Sequence, residues 1–216
     1  MLVKPIVLIV RLGFAALFVV FTALGKPFLW LILFVVGLLL TPLFGRLYCG
    51  WACPMNTVMT PFSKWLRKAG RKQKPAPAWL EHGWFAWLSL LLSLAVTIVG
   101  RQVFKKNIPI LLVWFVIALA VTCFYKTSVF HNLICPFGAP LRLLGRFARF
   151  SRTVDKNRCQ AHANCLRVCP SEAIQLEPSD GLAAIDPSLC HQCLNCTAAC
   201  PSAAIGYTKR SVAKRF

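Results

Sequence analysis

The sequence predicts an all-α membrane bundle of four helices with a small α+β domain behind it. Three observations carry that reading. Of 216 residues, 57% are hydrophobic and only 14% charged, too apolar for an ordinary soluble domain. Four long apolar runs follow one another in the N-terminal part, and the C-terminal part collects seven of the cysteines and most of the acidic residues.

The apolar runs are Ile6 to Leu24, Phe28 to Phe44, Trp84 to Gly100 and Ile108 to Tyr125. Each approaches the roughly 20 apolar residues that cross a hydrocarbon core. Lys4 before the first run resembles the start of a signal peptide, but no small-residue cleavage site follows, so the run is expected to stay in the mature protein. Gly25-Lys26-Pro27 allows only a tight hairpin. The connection between the second and third runs carries Arg46, Lys64, Arg67, Lys68, Arg71, Lys72 and Lys74, whereas the next has only Arg101, Lys105 and Lys106. Lys126, Arg142, Arg146, Arg149 and Arg152 follow the fourth run. By the positive-inside rule, both termini, the long loop and the C-terminal module lie in the cytoplasm of a multi-pass protein of the bacterial inner membrane.

The net charge of +19 is thus assigned to topology and to membrane lipid with anionic head groups, and nucleic acid is excluded as a partner. Arg11, inside the first run, is expected to snorkel to the head groups. Trp79, Trp84 and Trp87 read as an interfacial aromatic belt. The segment Leu141 to Arg152, LRLLGRFARFSR, sets Leu141, Leu144, Phe147 and Phe150 at steps of three among arginines, which predicts a basic amphipathic helix lying on the membrane. The expected division is a four-helix domain at 1–140, a linker helix at 141–157 and the C-terminal module at 158–216.

Within that module, CHQCLNCTAACP, from Cys190 to Pro201, has the spacing that wraps a 4Fe-4S cluster and lends its last thiolate to a neighbouring one. Upstream, CQAHANCLRVCP, from Cys159 to Pro170, matches it position for position, except that His162 stands at the second cysteine. In the two-cluster pattern, Cys190, Cys193, Cys196 and Cys169 hold the first cluster, and Cys159, Cys165 and Cys200 hold the second. His162 is either the fourth ligand of a second 4Fe-4S cluster or a bystander above a 3Fe-4S cluster. Zinc is disfavoured, because such a site needs four thiolates and this stretch offers seven with two Cys-Pro endings. Disulfides are disfavoured by the reducing compartment. SEAIQL and SAAIGY, after Pro170 and Pro201, repeat the short pattern of a bicluster ferredoxin-like domain.

A second constellation stands at the ends of the second and fourth runs: Cys49-Gly-Trp-Ala-Cys53-Pro54 and His131-Asn-Leu-Ile-Cys135-Pro136. A pseudo-twofold bundle would bring these counterparts together at one membrane face. Cys49, Cys53, His131 and Cys135 would then hold a further iron-sulfur cluster or cycle as redox thiols. Cys123, within the fourth run, reads as a small core residue, and His82 and His191 as surface histidines.

With four apolar runs, paired Cys-Pro signatures after the second and fourth, and a terminal two-cluster module, the chain resembles the NapH-type membrane iron-sulfur proteins. The resemblance covers nearly the whole chain, with histidines 131 and 162 as departures from the cysteine pattern. It implies an electron-transfer subunit, quinol dehydrogenase-like, that relays electrons between the membrane quinone pool and a partner oxidoreductase, with iron-sulfur and c-type cytochrome subunits as partners and quinol as a further ligand. The alternative is an accessory protein supplying electrons for assembly or maintenance of a metalloenzyme. No C-x-x-C-H haem motif, glycine-rich nucleotide loop or flavin signature is present, and no residue is assigned a bond-making role.

Overall fold

The computed structural model describes residues 5–26, 28–103 and 109–210. Lys4, Pro27, Lys105, Lys106 and Ile108, used above, lie outside them. The N-terminal part contains α1 (Pro5–Ala23), α2 (Phe28–Phe44), α3 (Pro54–Lys68), α4 (Trp84–Gln102), α5 (Ile110–Phe124), the single turn α6 (Thr127–Val129) and α7 (Gly138–Gly145). The C-terminal part runs β1 (Phe150–Val154), α8 (Asn164–Val168), β2 (Ile174–Leu176), β3 (Ala183–Ile185), α9 (Asn195–Ala199) and β4 (Ile205–Lys209). β1 pairs antiparallel with β4, and β2 with β3.

Two helices, α1 and α4, are long and apolar enough to cross a membrane, and α2 and α5 are apolar helices of 17 and 15 residues. Each buries a narrow stripe at helical spacing: Val7, Arg11 and Phe18 on α1, Trp30, Phe34 and Thr41 on α2, and Trp114, Ala118 and Thr122 on α5. The remaining faces leave large apolar side chains uncovered, among them Ile9, Val19, Leu39, Leu91 and Val116. Aromatic contacts fasten the inner face. Phe18 meets Trp30 edge-on at 5.2 Å, and Phe34 meets Tyr48 and Phe137 at 5.3 and 5.0 Å. Burying each such ring contributes about 1.5–3 kcal/mol.

Two sequence expectations are corrected. The connection after α2 is not a loop: α3 starts with Pro54 at its first turn, where the missing N–H costs nothing, and ends in Arg67 and Lys68. The helix expected over Leu141 to Arg152 stops at Gly145, and Phe150–Val154 is strand β1. The step-of-three pattern is local, whereas the strand forms because its backbone finds β4, with Phe150 opposite Lys209 and Val154 opposite Ile205. Leu141 is fully buried rather than lying on a lipid-facing stripe.

Candidate iron-sulfur sites

The two cysteine loops of the C-terminal module have the same local conformation. Non-glycine residues with left-handed backbone occur in matched positions: Ala161 and Gln192, Ala163 and Leu194, Glu172 and Ala203. Each pair has the spacing that separates Cys159 from Cys190. Such residues cost about 1–3 kcal/mol each and persist where something holds them. Successive left-handed turns also aim backbone N–H groups inward as an anion-binding concavity. The Ala173 and Ala204 amides donate to Cys169 Sγ and Cys200 Sγ, both at 3.4 Å. Ser171 and Ser202 hydroxyls sit 3.5 and 3.4 Å from the same sulfurs.

The structure places the thiols in two groups. Cys190, Cys193, Cys196 and Cys169 are mutual electrostatic neighbours, and the first three are buried. Burial, then the adjacent thiols, pushes Cys190 upward and Cys196 to about 12. Cys159, Cys165, Cys200 and His162 line one cavity, with His162 exposed. Burial raises Cys165, whereas at Cys200 burial is outweighed by hydrogen bonds from Ser202 and nearby amides, which hold it below the usual thiol value. A cationic centre would favour the deprotonated form of the thiols that burial raises. All eleven cysteines are free of disulfides. Among the described residues no three His, Cys, Asp or Glu stand close enough to clasp one metal ion.

The second constellation also comes together. Tyr48–Ala52 and Phe130–Ile134 each form one π-helical turn, closed by Cys53 N–H to Tyr48 O at 2.9 Å and Cys135 N–H to Phe130 O at 2.8 Å. Such turns concentrate at functional sites. Equivalent positions serve equivalent ends: Asn56 Nδ2 donates to Cys49 O at 2.7 Å, and Gly138 leaves room for His131 O, which an added Cβ would meet at 2.3 Å. Cys49, Cys53, His131 and Cys135 line one apolar cavity with Trp30 and Tyr48. Burial, then the Arg46 charge, lowers His131 to about 3, keeping its imidazole neutral and able to ligate. Burial lifts Cys53, and lifts Cys135 to about 12.

The module docks its first cysteine set on these turns. An added Cβ on Gly50 would stand 1.9 Å from His191 O. Trp51 Nε1 donates to Gln192 O at 3.1 Å, and Asn132 Nδ2 to Ser171 O at 2.9 Å. Ser128 donates to Glu172, which also pairs with Lys126. Three expectations change here. His191 is 1% exposed, not a surface residue, and its ring meets His131 at 5.1 Å. Arg11 does not snorkel: it is buried, donates from Nε to Gly50 O at 2.6 Å and faces the Cys193 thiol. Cys123 is only half-buried. His82 is exposed, as expected. Arg46, which the sequence marked only as a basic loop residue, is fully buried between the two cysteine sites.

Paired cysteine loops of this conformation define an iron-sulfur electron-transfer protein. Comparison with known families agrees. Residues 27–73 and 107–154 match a 4Fe-4S binding domain, spanning both π turns, and 157–204 match a 4Fe-4S dicluster domain. The methylamine utilization ferredoxin-type protein MauN of Paracoccus denitrificans is 30% identical over 159 residues, covering 63% of this chain and 54% of its own. The ferredoxin-type protein NapH of Haemophilus influenzae is 25% identical over 162 residues, 68% and 55% of the two chains. An uncharacterized protein of Methanocaldococcus jannaschii is 26% identical over 156 residues, 70% and 62%. The chain is therefore a ferredoxin-type protein with 4Fe-4S domains, similar to the NapH and MauN proteins. It spans about half to three-fifths of the length of these curated relatives. No solved structure matches it.

Proposed function

We propose that the chain is a four-helix protein of the bacterial inner membrane that relays electrons between membrane quinol and a partner oxidoreductase. The uncovered apolar faces of α1, α2, α4 and α5 support embedding in lipid. The basic C-terminal end of α3 and the arginines after α5 support cytoplasmic placement of the module and both termini. On this reading residues 1–140 form the membrane domain, 141–157 the connection, and 158–216 the two-cluster domain.

The observation that carries the relay is the docking of the Cys169, Cys190, Cys193 and Cys196 set on the two π turns, with the Cys159, Cys165, Cys200 and His162 set farther out. Clusters held by these residues supply one-electron reservoirs. The order is then the Cys49, Cys53, His131 and Cys135 site, the first cluster, and the second cluster. His162 is assigned as fourth ligand of a second 4Fe-4S cluster, because it lines the same cavity as that cluster's three thiols. His131 is the fourth ligand of a third cluster, its imidazole kept neutral. Iron-sulfur and c-type cytochrome subunits are the proposed partners.

The test is anaerobic reduction of the purified, cluster-replete protein by a quinol analogue in lipid nanodiscs, followed by absorbance bleaching. Bleaching at a rate dependent on quinol is expected, and Cys53→Ser should slow it at least tenfold. A replete protein that no quinol reduces would contradict the relay.

A further inference from the structure

Two buried guanidinium groups pair with no carboxylate among the described residues. Arg46 is 0% and Arg11 6% exposed. The ion pairs among the described residues engage Lys126, Lys156 and Arg158, and none reaches either arginine. A cation out of water is costly unless an opposite charge and hydrogen bonds surround it. Carbonyl and amide oxygens meet part of that need. Arg46 Nη1 donates to Ser188 O at 3.0 Å and Asn132 Oδ1 at 3.3 Å, and Nη2 to His131 O at 3.5 Å. Arg11 Nε holds Gly50 O. Each guanidinium still keeps one buried N–H without a partner, Arg46 Nε and Arg11 Nη2.

The negatively chargeable groups in contact with them are sulfurs, whereas Asp186, the carboxylate two residues before Ser188, accepts from the Ser188 N–H. Arg46 Nη2 stands 3.6 Å from Cys49 Sγ, and Arg11 faces Cys193. One arginine therefore belongs to each of the two adjoining cysteine sets, and both lie at the seam where the module meets the π turns. Arg46 spans that seam, since Ser188 precedes the Cys190 loop while Cys49 and His131 belong to the membrane-side site.

We propose that Arg46 and Arg11 are resident counter-cations of the two neighbouring redox centres, Arg46 for the Cys49, Cys53, His131 and Cys135 site and Arg11 for the Cys169, Cys190, Cys193 and Cys196 site. In that role they set the potentials between which an electron passes. The inference rests on the reading that both sets hold clusters. When one electron leaves one centre and enters the other, the donor is oxidised and the acceptor reduced by one charge, and no proton need move, because the guanidinium stays charged throughout. A fixed cation beside a centre favours the reduced form, whose negative charge is larger by one, and the effect is strong because the site is shielded from water. Both arginines are positioning residues, since they tune ligated centres rather than react.

The experiment is potentiometric titration of full-length holoprotein, followed by electron paramagnetic resonance, with iron content measured in each sample. The membrane-side signal is identified as the one lost in Cys53→Ser. Arg46→Gln is expected to move that signal's midpoint to more negative potential with the first cluster shifted less. Arg46→Lys, which retains the charge, should restore most of the shift. Arg11→Gln should lower the midpoint of the first cluster selectively. Unchanged midpoints in iron-replete Arg46→Gln and Arg11→Gln would overturn the proposal. Should Arg46→Gln lose iron, the Lys variant and the Arg11 arm still decide it. If Cys53→Ser removes no signal, the third centre fails and Arg46's role fails with it, whereas the Arg11 arm is read on the first cluster alone.

Discussion

Stripping iron from the protein by anaerobic chelation is expected to unfold the C-terminal module while the N-terminal helices stay folded. The module's core consists of Cys165, Cys190 and Cys196 with Ala173, Ile174, Ala183, Ile185 and Ile205, edged by Val154, Cys159, Leu166, Cys169, Leu189 and Cys200. Six of these fourteen residues are cysteines proposed as cluster ligands. What remains is a few small aliphatic side chains and two two-stranded sheets, less than a domain of this size needs to stand alone. The left-handed residues of both loops add a cost of about 1–3 kcal/mol each. Limited proteolysis should cut within 155–210 after chelation and leave a fragment containing α1 to α5. Unchanged protease resistance would show that the module folds on its side chains alone.

Replacing Gly50 by alanine is expected to separate the module from the membrane-side turns. The new methyl would lie 1.9 Å from His191 O and 3.0 Å from the His191 carbonyl carbon. Both are backbone atoms on a loop fixed by Trp51, so no side chain can swing away. Overpacking of this kind costs about 1–3 kcal/mol or more. Here it acts at the seam, so the loss should appear as weaker docking rather than global unfolding. Iron content should remain near that of the unmodified protein, while quinol-dependent bleaching of the module's clusters falls by at least tenfold. Unchanged bleaching would mean that electrons take a route avoiding this contact. Gly13, on α1, which has no atom within 4 Å of an added Cβ and no positive φ, provides the control substitution.

The contrast between what the sequence made legible and what it hid follows the range of the interactions. The cysteine spacings are local, and each loop takes its shape from a few successive dihedrals. The expected grouping of the thiols could therefore be drawn from Cys159 to Pro201 without knowing the fold. The duplication of Cys49 to Cys53 by His131 to Cys135 was legible for the same reason, and the two π turns share it down to their closing hydrogen bonds. Arg46, Arg11 and His191 were not legible as site residues. Nothing in their neighbourhood along the chain distinguishes them from basic or polar residues at a membrane edge. Their role comes from Arg46 reaching Ser188 and from Gly50 approaching His191, contacts between segments far apart in sequence. The signal that could have found them is a shortage: six acidic residues cannot neutralise twenty-five basic ones. Arg46 and Arg11 accordingly have sulfurs, not carboxylates, as their contacts able to carry negative charge.

The helix expected from Leu141 to Arg152 failed on the same ground. Its apolar steps of three continue through Phe147 and Phe150, yet the backbone after Gly145 is claimed by β4 and by Pro42 O, which accepts from Arg149 N–H at 2.9 Å. A local pattern describes which face a segment can present. It does not say which distant strand will compete for its hydrogen bonds.

The most direct measurement is quantification of iron and acid-labile sulfide in anaerobically purified protein, together with its electron paramagnetic resonance spectrum before and after reduction. The account predicts three cubane clusters, about twelve irons and twelve sulfides per chain at four of each per cluster, with one set of signals lost in Cys53→Ser and no three-iron signal in the protein as purified. A colourless protein without iron, or zinc in place of iron and sulfide, would contradict it.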